Sequence, residues 1–111
     1  MNLTEEFSKV CKLNELKEGT GKRFFIDDVE IALFLIDNNV YALSNICPHQ
    51  KTHLMHEGYI DEGNVVCPVH GWKFDLKTGN LAPGRKGLDS FETVIRNDDV
   101  YVKIVKKDLK W

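Results

Sequence analysis

Two short boxes of cysteine and histidine carry the clearest chemical potential in this chain. The first is Cys47–Pro48–His49 and the second is Cys67–Pro68–Val69–His70, with the seventeen residues 50–66 between His49 and Cys67. Each box can direct one thiolate and one imidazole at a single centre, and each proline holds the residue before it in an extended conformation. The boxes therefore predict a metal centre with mixed sulfur and nitrogen ligands.

Three interpretations of the boxes are open on ligand type alone. A structural zinc site uses two cysteines and two histidines, but zinc fingers usually pair like with like along the chain. The order here is Cys, His, Cys, His in two equivalent loops, which suits a two-iron centre with both thiolates on one iron and both imidazoles on the other. Four unconnected core residues are the third interpretation, which the matched boxes disfavour.

The elements that must position these boxes are short strands. Turn signals such as Asp37–Asn38–Asn39 and Asn97–Asp98–Asp99 separate them. The predicted strands are Phe7–Leu13, Lys22–Ile26, Glu30–Ile36, Val40–Leu43, Asn64–Cys67, Trp72–Phe74, Phe91–Arg96 and Val100–Val105. About eight or nine short strands without a long helix predict an all-β antiparallel sandwich or barrel. The polar, histidine-rich stretch Ile46–Gly58 and the loop Pro83–Gly87 interrupt the pattern.

Length and composition bound the function. With 111 residues, 42% apolar and 29% charged, we expect one globular domain over residues 1–111. A net charge of −2 gives no reason to expect a nucleic acid or an anionic membrane as partner. The longest apolar run, Ile31–Ile36, is far shorter than the roughly 20 residues of a membrane span. Three cysteines and no export signal predict a cytoplasmic chain without a disulfide framework.

The boxes and their surroundings resemble the Rieske [2Fe–2S] family. Beyond the boxes, the similarity includes Leu54 and Gly58, the strand and turn over Trp72–Gly79, and Pro83. It covers residues 40–84 closely, whereas the flanking strands match only in character. The resemblance implies a Rieske-type antiparallel fold in which a small cluster-binding subdomain of two loops, about residues 45–84, is inserted in a β base.

The resemblance also implies the ligands of one [2Fe–2S] cluster per chain. Cys47 and Cys67 would bind the inner iron as thiolates, and His49 and His70 would bind the outer iron near the protein surface. Two ferric ions, two sulfides and two thiolates sum to zero charge, so the oxidised core can be buried without a severe desolvation cost.

The function implied is that of a soluble one-electron carrier between a flavin reductase and a terminal oxygenase. The chain is not expected to be the oxygenase itself, which needs a mononuclear iron site of two histidines and a carboxylate in a further domain. The two remaining histidines, His53 and His56, both lie in the first loop. The alternatives are a small subunit of an assimilatory nitrite reductase and, less favoured, a zinc-stapled binding module.

Several residues near the boxes have simple expected roles. His53 and His56 are expected to be solvated loop histidines, or to set a titratable charge with Lys51. Leu54, Met55 and Pro83 are candidates for an apolar apron around exposed imidazoles. Packing in the core is expected for Trp72 and for Cys11, and turn-fixing hydrogen bonds are expected for Asp75 and Thr78.

Departures from the high-potential respiratory members of the family predict a low reduction potential. Thr52 and Val69 stand where those members carry an extra cysteine pair, and Trp72 stands where they place a serine that donates a hydrogen bond to a sulfide. Fewer donors leave the reduced state less stabilised. We expect a midpoint toward the lower end of the roughly −150 to +300 mV Rieske range. A redox titration with a midpoint in the respiratory range would contradict this subtype.

Overall fold

The computed structural model describes residues 7–26, 29–46, 53–68, 71–81 and 87–104. These residues form nine strands and two short 3-10 turns, Leu13–Glu15 and Met55–Glu57. The strands are β1 (Phe7–Lys12), β2 (Gly21–Ile26), β3 (Val29–Ile36), β4 (Asn39–Ser44), β5 (Tyr59–Asp61), β6 (Asn64–Val66), β7 (Lys73–Asp75), β8 (Ser90–Arg96) and β9 (Asp99–Lys103). Across these ranges no helix is long and apolar enough to cross a bilayer.

The strands form two antiparallel sheets. Six strands pair in the order β1-β9-β8-β4-β3-β2, and the edge strands β1 and β2 approach each other, which nearly closes this sheet into a barrel. The remaining strands form a second sheet in the order β5-β6-β7. The all-β antiparallel prediction is confirmed, with a small second sheet between β4 and β8 in the sequence.

Tight turns set the register of the hairpins. Asp37 and Asn38 join β3 to β4 with φ of 52° and 67°, and Asn97 and Asp98 join β8 to β9 with φ of 55° and 66°. Two consecutive left-handed residues match the right-handed twist of the strands on either side, and Asn and Asp tolerate that conformation best after glycine. Both predicted hairpins are confirmed.

The strand predictions fail mainly where strands are very short. Strand β5 was not predicted, because its three residues are too few to show an alternation of apolar and polar side chains. It is found only through its pairing with β6, in which Tyr59 lies opposite Val66. Strand β1 ends before Leu13, whose N–H donates to the Asp98 carbonyl at 2.8 Å as the 3-10 turn begins. The predicted end of β9 at Val105 lies outside the described residues.

Both faces of strand β3 are buried, because the strand lies between two hydrophobic cores. The barrel core, inside the six-stranded sheet, comprises Cys11, Leu16, Ile31, Leu33, Val40, Ala42, Val100 and Val102. The interface core, between the barrel and the three-stranded sheet, comprises Ala32, Phe34, Leu43, Met55, Val65, Cys67, Phe74, Leu76 and Leu88. Alternate residues of β3 enter the two cores, which accounts for the continuous apolar run Ile31–Ile36.

Substitution of Gly79 would show how tightly the second sheet packs against the barrel. It has φ of +78°, and a Cβ there would overlap the Leu88 carbonyl oxygen, whereas Gly63 has φ of +83° with open space around it. For Gly63→Ala we expect only the cost of a left-handed alanine, about 1–2 kcal/mol. Gly79→Ala should cost roughly a further 1–3 kcal/mol for displacing its neighbour. Thermal midpoints of the two holoproteins at one scan rate would measure this, and equal midpoints would contradict the close packing.

Candidate metal centre

Cys67 follows the last residue of β6 and is only 1% exposed. Its N–H donates to the Trp72 carbonyl at 2.8 Å, and its own carbonyl accepts the Gly71 N–H at 2.9 Å. Gly71 has φ of +76°, a left-handed conformation that glycine adopts without strain. These bonds hold the main chain on both sides of the second box close together and fix the position of the thiol at the end of the three-stranded sheet.

Three of the four predicted ligands, Cys47, His49 and His70, lie outside the described residues. The ligand set as a whole therefore stays a prediction. The fourth predicted ligand, Cys67, is the one whose surroundings the structure describes. Cys67 is buried and lies in the interface core. A buried thiol beside a backbone turn, with two imidazoles and a second thiol nearby in the sequence, is a donor set that fits a [2Fe–2S] cluster.

No other metal site competes with this one in the ranges that the structure covers. No group of three or more histidine, cysteine, aspartate or glutamate side chains there could hold a metal ion.

The turn after the second box has the hydrogen bonds that the sequence predicted. Asp75 Oδ1 accepts the N–H groups of Lys77 at 2.8 Å and Thr78 at 3.0 Å, and Thr78 Oγ1 accepts the Asn80 N–H at 3.1 Å. Trp72 packs against the interface core, with its ring centroid 6.5 Å from that of Phe74. The roles predicted for Asp75, Thr78 and Trp72 are confirmed.

A buried polar network involves residues on either side of the first box in the sequence, and sequence analysis did not find it. Glu30 on β3 is 7% exposed and Asn45, just after β4, is fully buried. Asn45 Nδ2 donates to Glu30 Oε2 at 2.7 Å, and the ring of His53 lies 2.6 Å from Glu30 Oε1 through Nδ1. Arg23 adds an ion pair to the same carboxylate at 3.9 Å. In the sequence, Glu30 is recognisable only as a polar residue at the start of an apolar strand.

The charged state of Glu30 follows from this network. Burial raises the pKa of the Glu30 carboxyl, but the hydrogen bonds from Asn45 and His53, together with the charges of His53 and Arg23, outweigh this effect. The pKa therefore lies below its ordinary value. Glu30 is thus a buried, ionised side chain whose oxygens are hydrogen-bonded.

The expectation of solvated loop histidines is wrong for His56. His56 is partly buried, its backbone N–H donates to Asn45 Oδ1 at 2.6 Å, and its ring Nδ1 lies 3.1 Å from the same oxygen. His53 keeps 54% of its side chain exposed, but its Nδ1 is bound to Glu30. Both histidines serve the buried network, which alternation of residue types along the chain does not reveal.

The expected apolar apron is also wrong for one member. Met55 is fully buried in the interface core, because the 3-10 turn Met55–Glu57 packs against β2 and β3. Leu54 is partly buried, and Pro83 lies outside the described residues. Met55 thus anchors the 3-10 turn Met55–Glu57 in the interface core.

Cys11 lies away from the candidate centre. It is 5% exposed on β1 and belongs to the barrel core, as predicted, whereas Cys67 belongs to the interface core. Burial, and secondarily the charge of Glu15, raise the pKa of the Cys11 thiol to about 11, with Lys22 opposing slightly. Its protonated state and its separate core make it a structural residue.

Comparison with known proteins identifies the class of the domain. Residues 6–92 match the family model of the Rieske [2Fe–2S] domain, which is well over half of the chain. The chain therefore belongs to the Rieske [2Fe–2S] domain family, and its cofactor is a [2Fe–2S] cluster.

Two relatives show which kinds of protein contain such a domain. The chain is 26% identical over 104 residues to the ferredoxin component of the naphthalene 1,2-dioxygenase system of Pseudomonas putida, covering 92% of this chain and 99% of that protein. It is 31% identical over 103 residues to human apoptosis-inducing factor 3, covering 91% of this chain and 17% of that protein.

Three solved structures share the fold. The ferredoxin of carbazole 1,9a-dioxygenase from Nocardioides aromaticivorans has a TM-score of 0.81 at 26% identity, covering 91% of this chain and all of that one. The structure of a complex of reduced oxygenase and oxidised ferredoxin in carbazole 1,9a-dioxygenase has a TM-score of 0.75 at 30% identity, covering 86% and 99%. A protein from Mycobacterium tuberculosis, described as a small subunit of an NADH-dependent nitrite reductase, has a TM-score of 0.82 at 24% identity, covering 90% and 96%, which shows the fold alone.

The raised pKa of Cys11 can be measured directly. Since alkylating reagents attack the thiolate, the labelling rate of a thiol with a pKa of about 11 should rise about tenfold per pH unit from pH 7 to 10. An ordinary exposed thiol should level off above its pKa of about 8.5. Iodoacetamide labelling of the holoprotein, followed by peptide mass spectrometry, gives the profile. A plateau near pH 9 would show that Cys11 is not protected in this way.

Proposed function

We propose that this chain is a one-electron carrier that receives electrons from a flavin-dependent reductase and passes them to a terminal oxygenase. The main support for the proposal is that the alignment covers nearly the whole length of both proteins. The chain aligns with 99% of a dioxygenase-system ferredoxin component, and the alignment uses 92% of the chain itself. A domain of the same extent is known in complex with an oxygenase in the carbazole system.

The proposed ligands are those of the two boxes. Cys47 and Cys67 would hold one iron as thiolates, and His49 and His70 would hold the other. A bound [2Fe–2S] cluster supplies reversible uptake of a single electron. The buried position of Cys67 supports its place on the inner iron, because it keeps the sulfur away from water.

The proposal treats residues 1–111 as one Rieske domain, with a cluster-binding subdomain at about residues 45–84 inserted in the barrel. The separate sheet β5-β6-β7, which spans Tyr59–Asp75, supports this division. We also propose a cytoplasmic location, on the ground that the cysteine content suits cluster ligation rather than a set of disulfides.

The alternative partner is the large subunit of an assimilatory nitrite reductase. One observation favours it, the TM-score of 0.82 to a protein described as a nitrite reductase small subunit. At 24% identity this similarity concerns the fold, so it does not outweigh the match to the ferredoxin components. Both partners would use the same cluster.

The ligand set predicts opposite outcomes for two buried cysteines. Cys67→Ala should abolish the visible absorbance and the electron paramagnetic resonance signal of the dithionite-reduced protein, because an iron ligand is lost. Cys11→Ala should retain both, since Cys11 lies in the barrel core. His49→Ala and His70→Ala should each change the spectrum, because mixed histidine and cysteine ligation gives a signal distinct from that of four thiolates.

Partner specificity needs a second measurement on the same samples. The reduced wild-type protein is mixed with an oxygenase of the aromatic-ring class or with a nitrite reductase large subunit, and reoxidation is followed by the return of visible absorbance. Reoxidation by the oxygenase is expected. A colourless reconstituted protein, or a Cys67→Ala variant with an unchanged spectrum, would overturn the proposed ligation.

A further inference from the structure

Glu30 and Asn45 are the only polar or charged residues that are buried in the described part of the chain. Burying such groups costs free energy unless each donor and acceptor has a partner. A hydrophobic pair at the same place would avoid that cost. Hydrophobic packing alone therefore does not account for these two side chains at this position.

Asn45 joins the end of β4 to β3 and to residues 53–56 through its hydrogen bonds. Its Nδ2 donates to Glu30 Oε2 at 2.7 Å and to the His53 carbonyl at 3.1 Å, while its Oδ1 accepts the His56 N–H at 2.6 Å. Its main-chain N–H donates to the Glu30 carbonyl at 3.1 Å, and its carbonyl accepts the Met55 N–H at 3.4 Å. The amide group thus has a partner for each of its two donors and for its oxygen.

These bonds lie at the two flanks of one short stretch. Asn45 precedes Cys47 by two residues and His53 follows His49 by four, so the Asn45–His53 bond links the two ends of the stretch that includes the first box. Glu30 then ties both ends to β3, through Asn45 on one side and the His53 ring on the other. Arg23 on the neighbouring strand lies 3.9 Å from the same carboxylate.

We propose that Glu30 and Asn45 are positioning residues, which clamp both flanks of the first box to β3 and so set Cys47 and His49 in place relative to Cys67. This inference rests on the proposed ligand set. The physical reason is geometric, since Cys67 is fixed at the end of the second sheet while the first box begins at the end of a barrel strand. Two ligand pairs from different sheets need a rigid connection to meet at one cluster, and buried, directional hydrogen bonds supply one.

The test compares four variants of the reconstituted holoprotein. Asn45→Ala removes the whole clamp, and Glu30→Ala removes its attachment to β3. Glu30→Gln keeps an oxygen for Asn45 Nδ2 and serves as the conservative variant. Asn64→Ala is the matched control, because Asn64 lies in the second sheet and its Nδ2 donates to the nearby Asp61 carbonyl at 3.3 Å, outside the Glu30–Asn45 network.

Two readouts separate a positioning role from a general loss of stability. The first is the rate at which a chelator bleaches the visible absorbance, at a temperature where far-ultraviolet circular dichroism shows a folded chain. The second is the electron paramagnetic resonance spectrum of the reduced protein, which reports ligand geometry. We expect about tenfold faster bleaching and an altered spectrum for Asn45→Ala and Glu30→Ala. Glu30→Gln and Asn64→Ala should remain close to wild type.

Each outcome either supports or overturns the positioning role of Glu30 and Asn45. Wild-type bleaching and an unchanged spectrum in Asn45→Ala would overturn the inference. If Asn45→Ala does not fold, the two Glu30 variants carry the test, and equal bleaching rates in Glu30→Ala and Glu30→Gln would overturn it. A wild-type protein that binds no cluster would instead overturn the proposed function, and this inference with it.

Discussion

Burial of strand β3 on both faces is the constraint on which the rest of the structure depends. Ile31 and Leu33 fill the barrel core, while Ala32 and Phe34 enter the interface core. One strand therefore joins the barrel to the small sheet that ends at Cys67. The outer face of β3 supplies part of the apolar surface against which the three short strands of the second sheet pack, and a small sheet depends on covering its hydrophobic face.

The same arrangement suits an electron carrier better than a catalyst. Such a carrier gains from a centre that changes little when its charge changes by one, and rigid packing restricts rearrangement. The proposed iron ligand Cys67 is buried in the interface core, to which both sheets contribute side chains, so its surroundings are fixed by both sheets. An oxidised core of zero net charge fits such surroundings at low desolvation cost, and the added electron can be stabilised by neighbouring N–H groups.

Much of this could be predicted from the sequence because it is encoded locally. The paired boxes, the Asn and Asp turns and the apolar run of β3 each depend on residues close together in the chain. Strand β5 was missed because only pairing with β6 defines it, and Met55 was misplaced because its burial depends on packing against β2 and β3. Glu30 and Asn45 are separated by fifteen residues, and single-sequence patterns do not report side-chain contacts over that separation.

The buried polar side chains of the described residues are confined to one junction of the fold. The two cores are apolar within the described residues except for Glu30 and Asn45, which lie where β3 and the end of β4 meet the first loop. Apolar packing specifies volume more than direction, because hydrophobic side chains of similar volume can replace one another at modest cost. Hydrogen bonds to a buried carboxylate are directional and leave few alternatives. Under the proposed ligand set, directional contacts at that junction would hold the two ligand pairs in place, while the remainder of the core depends on hydrophobic packing.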